Sequence, residues 1–71
     1  MPLSMVSPGT KVKIRHVRGG WGLQRRLADM GLTPGVEVMV ISGQCPGPVV
    51  LEVRGSRLAL GHGVAHRVVV C

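Results

Sequence analysis

The chain has 71 residues, room for one small domain, and with 45% apolar residues and a mean hydropathy of +0.34 it has the composition of a folded one despite a net charge of +6. A core this small has nothing left to line a large catalytic cleft. A single Trp with no Tyr or Phe excludes the aromatic platforms on which nucleic-acid bases stack and the aromatic grooves that take proline-rich peptides.

Ser7-Pro8-Gly9 forms a turn, and Lys11 to Val17 then alternates with period two, as a half-buried strand does. Val12 and Ile14 face the core, and Lys11, Lys13 and Arg15 face water or a partner. Gly19-Gly20 breaks this strand. Leu23, Leu27 and Met30 recur at i, i+4 and i+7, one face of a helix running from Trp21 to Met30. Gly31 stands where a left-handed residue closes a helix, with Leu32 folding back on Leu27 as in a Schellman stop. Pro34 and Gly35 suit the two central positions of a type II turn.

The rest reads as β structure. Val36, Val38 and Val40 alternate with the partly apolar set Glu37, Met39 and Ile41, a strand covered on both faces. A Gly/Pro-rich loop spans Ser42 to Pro48. Val49 to Arg54 and Arg57 to Leu60 form a hairpin turning at Gly55-Ser56, with Leu58 and Leu60 inward. Gly61 to Ala65 is a connection with room for one 3₁₀ turn, and Arg67 to Cys71 is the last strand. Five short strands with one helix inserted after the first predict a mainly β fold, a small closed barrel, as one domain over 1–71 with its ordered core at about 8–70.

Two cysteines, Cys45 and Cys71, are fewer than a secreted scaffold of this size carries. Residues 1–6 lack the basic and apolar regions of a signal peptide, and no run approaches the roughly 18 apolar residues of a membrane span. A soluble cytoplasmic protein without membrane insertion is expected.

Chemistry-bearing motifs are sparse. Asp29, Glu37 and Glu52 form no carboxylate pair, and no P-loop, nucleophile elbow or triad is present, so no enzyme is expected. Gly19-Gly20-Trp21-Gly22 before a helix reads as an anion cradle or as a plain strand-to-helix hinge, the hinge being the commoner case. His62 and His66 have zinc-ligand spacing, to which Cys45 and Cys71 could add thiolates, but without a C-x-x-C an intramolecular metal site is not expected. The stripe Lys11, Lys13, Arg15 and Arg18 reads as a surface for an anionic partner or as a solvated strand face. Trp21 caps the barrel as a core residue, the commoner fate of a lone Trp, or stands exposed as an interface anchor.

Two segments carry a family resemblance. Arg26-Leu27-Ala28-Asp29-Met30-Gly31-Leu32-Thr33-Pro34-Gly35 is similar to an R-L-x-x-M-G-L-x-P-G turn, and Gly47-Pro48 through Val53-Arg54-Gly55 to Leu58-Ala59-Leu60-Gly61 to a G-P…V-R-G-x-x-L-A-L-G hairpin. Together they resemble FeoA, the small cytoplasmic component of bacterial and archaeal ferrous iron uptake. The turn and barrel are shared with the C-terminal SH3-like domain of iron-dependent repressors. The resemblance implies an SH3-like barrel and a non-catalytic accessory protein without a cofactor. The implied partner is the membrane ferrous iron permease with its cytosolic GTP-binding domain, which the chain would regulate or assemble. The alternative is a metal-responsive regulatory module, binding a transition metal and acting in trans on a regulator protein. A nucleic-acid partner rests on charge alone and is not expected. The family carries no settled binding residues. From the residues themselves, the candidate contacts are Trp21, Arg25 and Arg26 with the stripe Lys11, Lys13 and Arg15, near the one insertion in the barrel.

Overall fold

The computed structural model describes residues 1–44 and 46–71. Five strands, β1 (Lys11–Val17), β2 (Glu37–Ser42), β3 (Val49–Val53), β4 (Ser56–Leu60) and β5 (Val68–Val70), form one antiparallel sheet in the order β4-β3-β2-β1-β5. Helix α1 (Trp21–Asp29) follows β1, and a five-residue helix α2 (His62–His66) replaces the expected connection before β5. The first half of β1 pairs β2, with Lys13 opposite Glu37. Past an irregularity between Ile14 and His16, its second half pairs β5, with Val17 opposite Val68. One strand thus serves two halves of the sheet, the device by which a small sheet curls on itself.

The expected mainly β, SH3-like architecture stands, but strand pairing does not close it. β4 pairs only with β3, and the outer side of β5 bonds to the chain's beginning. Pro2 bridges Val69, and the Val70 amide donates to the Met1 carbonyl at 2.7 Å. β5 is three residues long, so residues 1–2 cover its edge where a closing strand would lie.

The core therefore begins earlier than residue 8. A single 3₁₀ turn at Leu3–Met5 sets Leu3 fully inside, and Val6 is buried beside it. They join Ile14, Leu27, Leu32, Val38, Val40, Val49, Leu51, Val53, Leu60, Ala65, Val68 and Val70 in one aliphatic cluster, with no polar side chain buried among the described residues. Alternation explains most of it: β3 buries Val49, Leu51 and Val53, and β2 buries Val38 and Val40 while Met39 and Ile41 stay half-covered.

The local stops form as expected. The Leu32 amide donates to Leu27 O and the Gly31 amide to Ala28 O, both at 2.9 Å, and Gly31 has φ +86°, a complete Schellman motif. It ends α1 at Asp29, so Met30 becomes an exposed cap and Leu32 takes the core position expected of it. The Val36 amide donates to Thr33 O across Pro34-Gly35, the type II turn. The β3–β4 hairpin turns one residue earlier than expected, on Arg54 and Gly55, both at positive φ, with Val53 opposite Ser56. That is the backbone of a two-residue type I′ turn, which Arg accepts less readily than Asn or Gly.

Candidate functional site

Helix α1 carries the most distinctive surface. Leu23 and Leu27 turn towards the core, which places Trp21 on another face. Its side chain is 77% exposed, so it is not the barrel cap. It borders a groove of about 440 Å³ together with Arg25 and Ala28 of α1, His16 at the end of β1, and Pro34 of the turn. Two hydrogen bonds hold this turn against β1: the Gly35 amide donates to Ile14 O at 2.7 Å, and the Ile14 amide donates to Val36 O at 2.9 Å. The start of α1 is tied back by Gln24, whose Nε2 donates to Gly19 O at 3.2 Å. The turn is thus held to β1 by main-chain bonds and the start of α1 by a side-chain bond, while the indole faces water.

The six candidate contacts do not form one patch. Trp21 and Arg25 share the groove just described, whereas Arg26 lines a different one beyond the core-facing side of α1. Lys11 lies in a shallow polar hollow with Glu37, Glu52 and Arg54, and Lys13 stands opposite Glu37 across the ladder. Two of the three stripe residues are therefore partly offset by carboxylates. Arg15 is exposed on β1. Among the described residues the one ion pair is Arg57 Nε with Glu52 Oε2, at 3.9 Å across β3 and β4.

His16, Pro34 and Arg67 are surface residues that sequence reasoning did not name as contacts, Pro34 having been read only as a turn residue. Arg67 comes beside Arg18, whose amide donates to Arg67 O at 2.7 Å. No local pattern signals this neighbourhood, because the β1–β5 pairing creates it.

Gly19 is required by its backbone, while Gly20 has an extended backbone and open space around it. Gly19 has φ +148°, and a Cβ there would come 2.9 Å from Leu23 Cδ2, so the chain needs glycine to turn tightly into α1. The imidazoles of α2 are separately engaged. His62 Nδ1 lies 3.3 Å from Gly47 O and His66 Nδ1 lies 3.2 Å from Ser4 Oγ. Cys71 is exposed at the end of β5, and Cys45 lies outside the described residues. Among the described residues no three His, Cys, Asp or Glu side chains gather as a metal site, so they do not supply a complete one within one chain. No described helix is long and apolar enough to cross a membrane.

Known proteins share this arrangement. The chain is 35% identical over 69 residues to the Fe(2+) transport protein A of Methanocaldococcus jannaschii, covering 97% of this chain and 83% of that one. The crystal structure of an iron uptake regulatory protein, FeoA, superposes with a TM-score of 0.93 at 40% identity, covering 99% of this chain and 93% of that one. FeoA of Stenotrophomonas maltophilia, an SH3 domain protein whose structure is a zinc complex, superposes with a TM-score of 0.85 at 30% identity, covering 100% and 89%. The model of the FeoA domain matches residues 1–71, the full span that carries the turn, the hairpin and the curled sheet, and the chain belongs to the FeoA family of ferrous iron transport proteins A.

Proposed function

We propose that this chain is a non-catalytic cytoplasmic accessory protein of a ferrous iron uptake system, one that binds the cytosolic GTP-binding part of the membrane iron permease and regulates or assembles it. The observation that carries this reading is Trp21, an exposed indole in a groove between α1 and the hydrogen-bonded Pro34-Gly35 turn, on a chain of the FeoA family. An exposed Trp flanked by Arg is the composition of a binding hot spot. The surplus of positive charge steers the encounter towards an acidic surface, with Lys11, Lys13 and Arg15 contributing at a distance.

The test is co-purification from the native host grown under iron limitation, using a tagged chain in mild detergent and mass spectrometry. The permease is expected as the dominant partner, with weaker recovery for a Lys13→Glu/Arg15→Glu variant. Recovery of soluble regulators or nucleic acid in its place overturns the reading.

A second reading, a metal-responsive module acting in trans, is favoured by the zinc complex of the Stenotrophomonas maltophilia relative. Among the described residues no three ligating side chains gather within one chain, and this reading takes the metal as shared between molecules. Anaerobic calorimetry with Fe²⁺ is then expected to show heat that depends on protein concentration and coincides with self-association by light scattering. Saturable binding to a monomer contradicts that expectation, and no heat at any concentration removes the second reading.

A further inference from the structure

A second groove, of about 780 Å³, runs between α1 and α2 and is lined by Gly22, Leu23, Arg26, Gly63, Val64 and Arg67. Leu23 and Val64 are half-buried against the core and form an aliphatic floor. Arg26 and Arg67 are exposed and form the rim. Arg67 also borders the adjoining hollow with Arg18, Gly19 and His66. Three guanidinium groups therefore surround this surface, no carboxylate lines either hollow, and the one ion pair among the described residues lies elsewhere, on β3 and β4.

The groove is open because the helices carry glycine on its walls. Gly22 and Gly63 have ordinary helical φ, and a Cβ at either would meet nothing within 4 Å. Nothing inside the chain excludes a side chain there, although helical glycine is less stable than alanine by about 1 kcal/mol. The charge pattern names the occupant. Unpaired guanidinium groups over an aliphatic floor complement carboxylates flanking an aliphatic side chain. A second copy of this chain brings net positive charge to the same place and is repelled. Nucleic acid would leave the aliphatic floor unused and finds no aromatic side chain on which to stack.

We propose that the α1–α2 groove binds an acidic peptide segment of a protein partner, with an aliphatic side chain seated between Leu23 and Val64 and carboxylates on Arg26 and Arg67. The surface is separate from the Trp21 groove. The inference does not depend on the permease reading, since the segment is recognised by its chemistry whichever protein carries it.

The test uses a labelled decapeptide of Glu and Asp around a central Leu-Leu pair. Binding is read by fluorescence anisotropy and mapped by amide NMR shifts on the full chain. Saturable binding is expected, with shifts at Gly22, Leu23, Gly63 and Val64. Arg26→Gln/Arg67→Gln is expected to weaken it at least tenfold, as is Gly22→Leu, which fills the open wall. Trp21→Ala is expected to leave it within twofold, so failure here and failure of the Trp21 surface are distinguishable. A peptide with Ser for Leu is expected to bind at least tenfold more weakly. The proposal is overturned if the Ser peptide binds equally, if the shifts map to His16, Trp21 and Pro34, or if no peptide binds. It is also overturned if only phosphatidylglycerol vesicles bind in a manner sensitive to Arg26 and Arg67, which would make this a membrane-facing surface.

Discussion

Replacing Leu3 with Ala is expected to destabilise the chain by about 2–5 kcal/mol, the range for deleting a buried leucine side chain. Leu3 is fully buried, and its 3₁₀ turn packs against α2 and β5. The loss is large because the whole is small: a 71-residue domain is stable by roughly 4–10 kcal/mol at ~0.05–0.15 kcal/mol per residue. Residues 1–2 also cover the outer edge of β5, so a loosened Leu3 exposes an edge of three consecutive valines. Urea unfolding checks this, with an expected lower midpoint at an unchanged slope. An unchanged midpoint would mean that the first seven residues are a tail and that α2 and β5 are held by the sheet alone.

Replacing Trp21 with Ala is expected to do the reverse. Its side chain is 77% exposed, so unfolding should move by no more than about 0.5 kcal/mol, as for other surface changes. If the proposed partner is the permease, binding to its isolated GTP-binding domain is expected to weaken about 30-fold or more, the effect of losing ~2 kcal/mol at a hot spot. Arg25→Glu on the same groove is expected to act mainly on the association rate and its salt dependence, as rim charges do. Surface plasmon resonance at two ionic strengths separates the two. Equal affinity for Trp21→Ala and the parent chain removes this groove as the docking face. A fall in stability above 1 kcal/mol would show that the indole packs in solution.

The legible elements are those governed by neighbours a few residues apart. Alternation over Lys11–Val17, the Schellman stop at Gly31 and the turn at Pro34-Gly35 each depend on short-range contacts or hydrogen bonds and formed as read, while the alternating strand read from Val49 to Arg54 ends at Val53. The hairpin was displaced by one residue because Arg54 holds a left-handed φ that its side chain does not advertise. The surface position of Trp21 was partly legible. Leu23 and Leu27 define the core stripe of α1, and a residue two positions before Leu23 lies about 200° around the helix at ~100° per residue. The preference of a lone Trp for the core argued the other way, and the helical face decided it.

Residue types and their short-range spacing by themselves determined an aliphatic mainly β domain, its five strands, the helix after the first of them and the stop of that helix. Local patterns could not place Leu3, because Met-Pro-Leu-Ser-Met-Val has no period that marks an inward residue. Only the completed sheet assigns that segment to the edge of β5. It also brings Arg67 beside Arg18 through the β1–β5 ladder. These placements are set by pairing between residues about fifty or more positions apart, where the packing of the whole core, and no local pattern, selects the register.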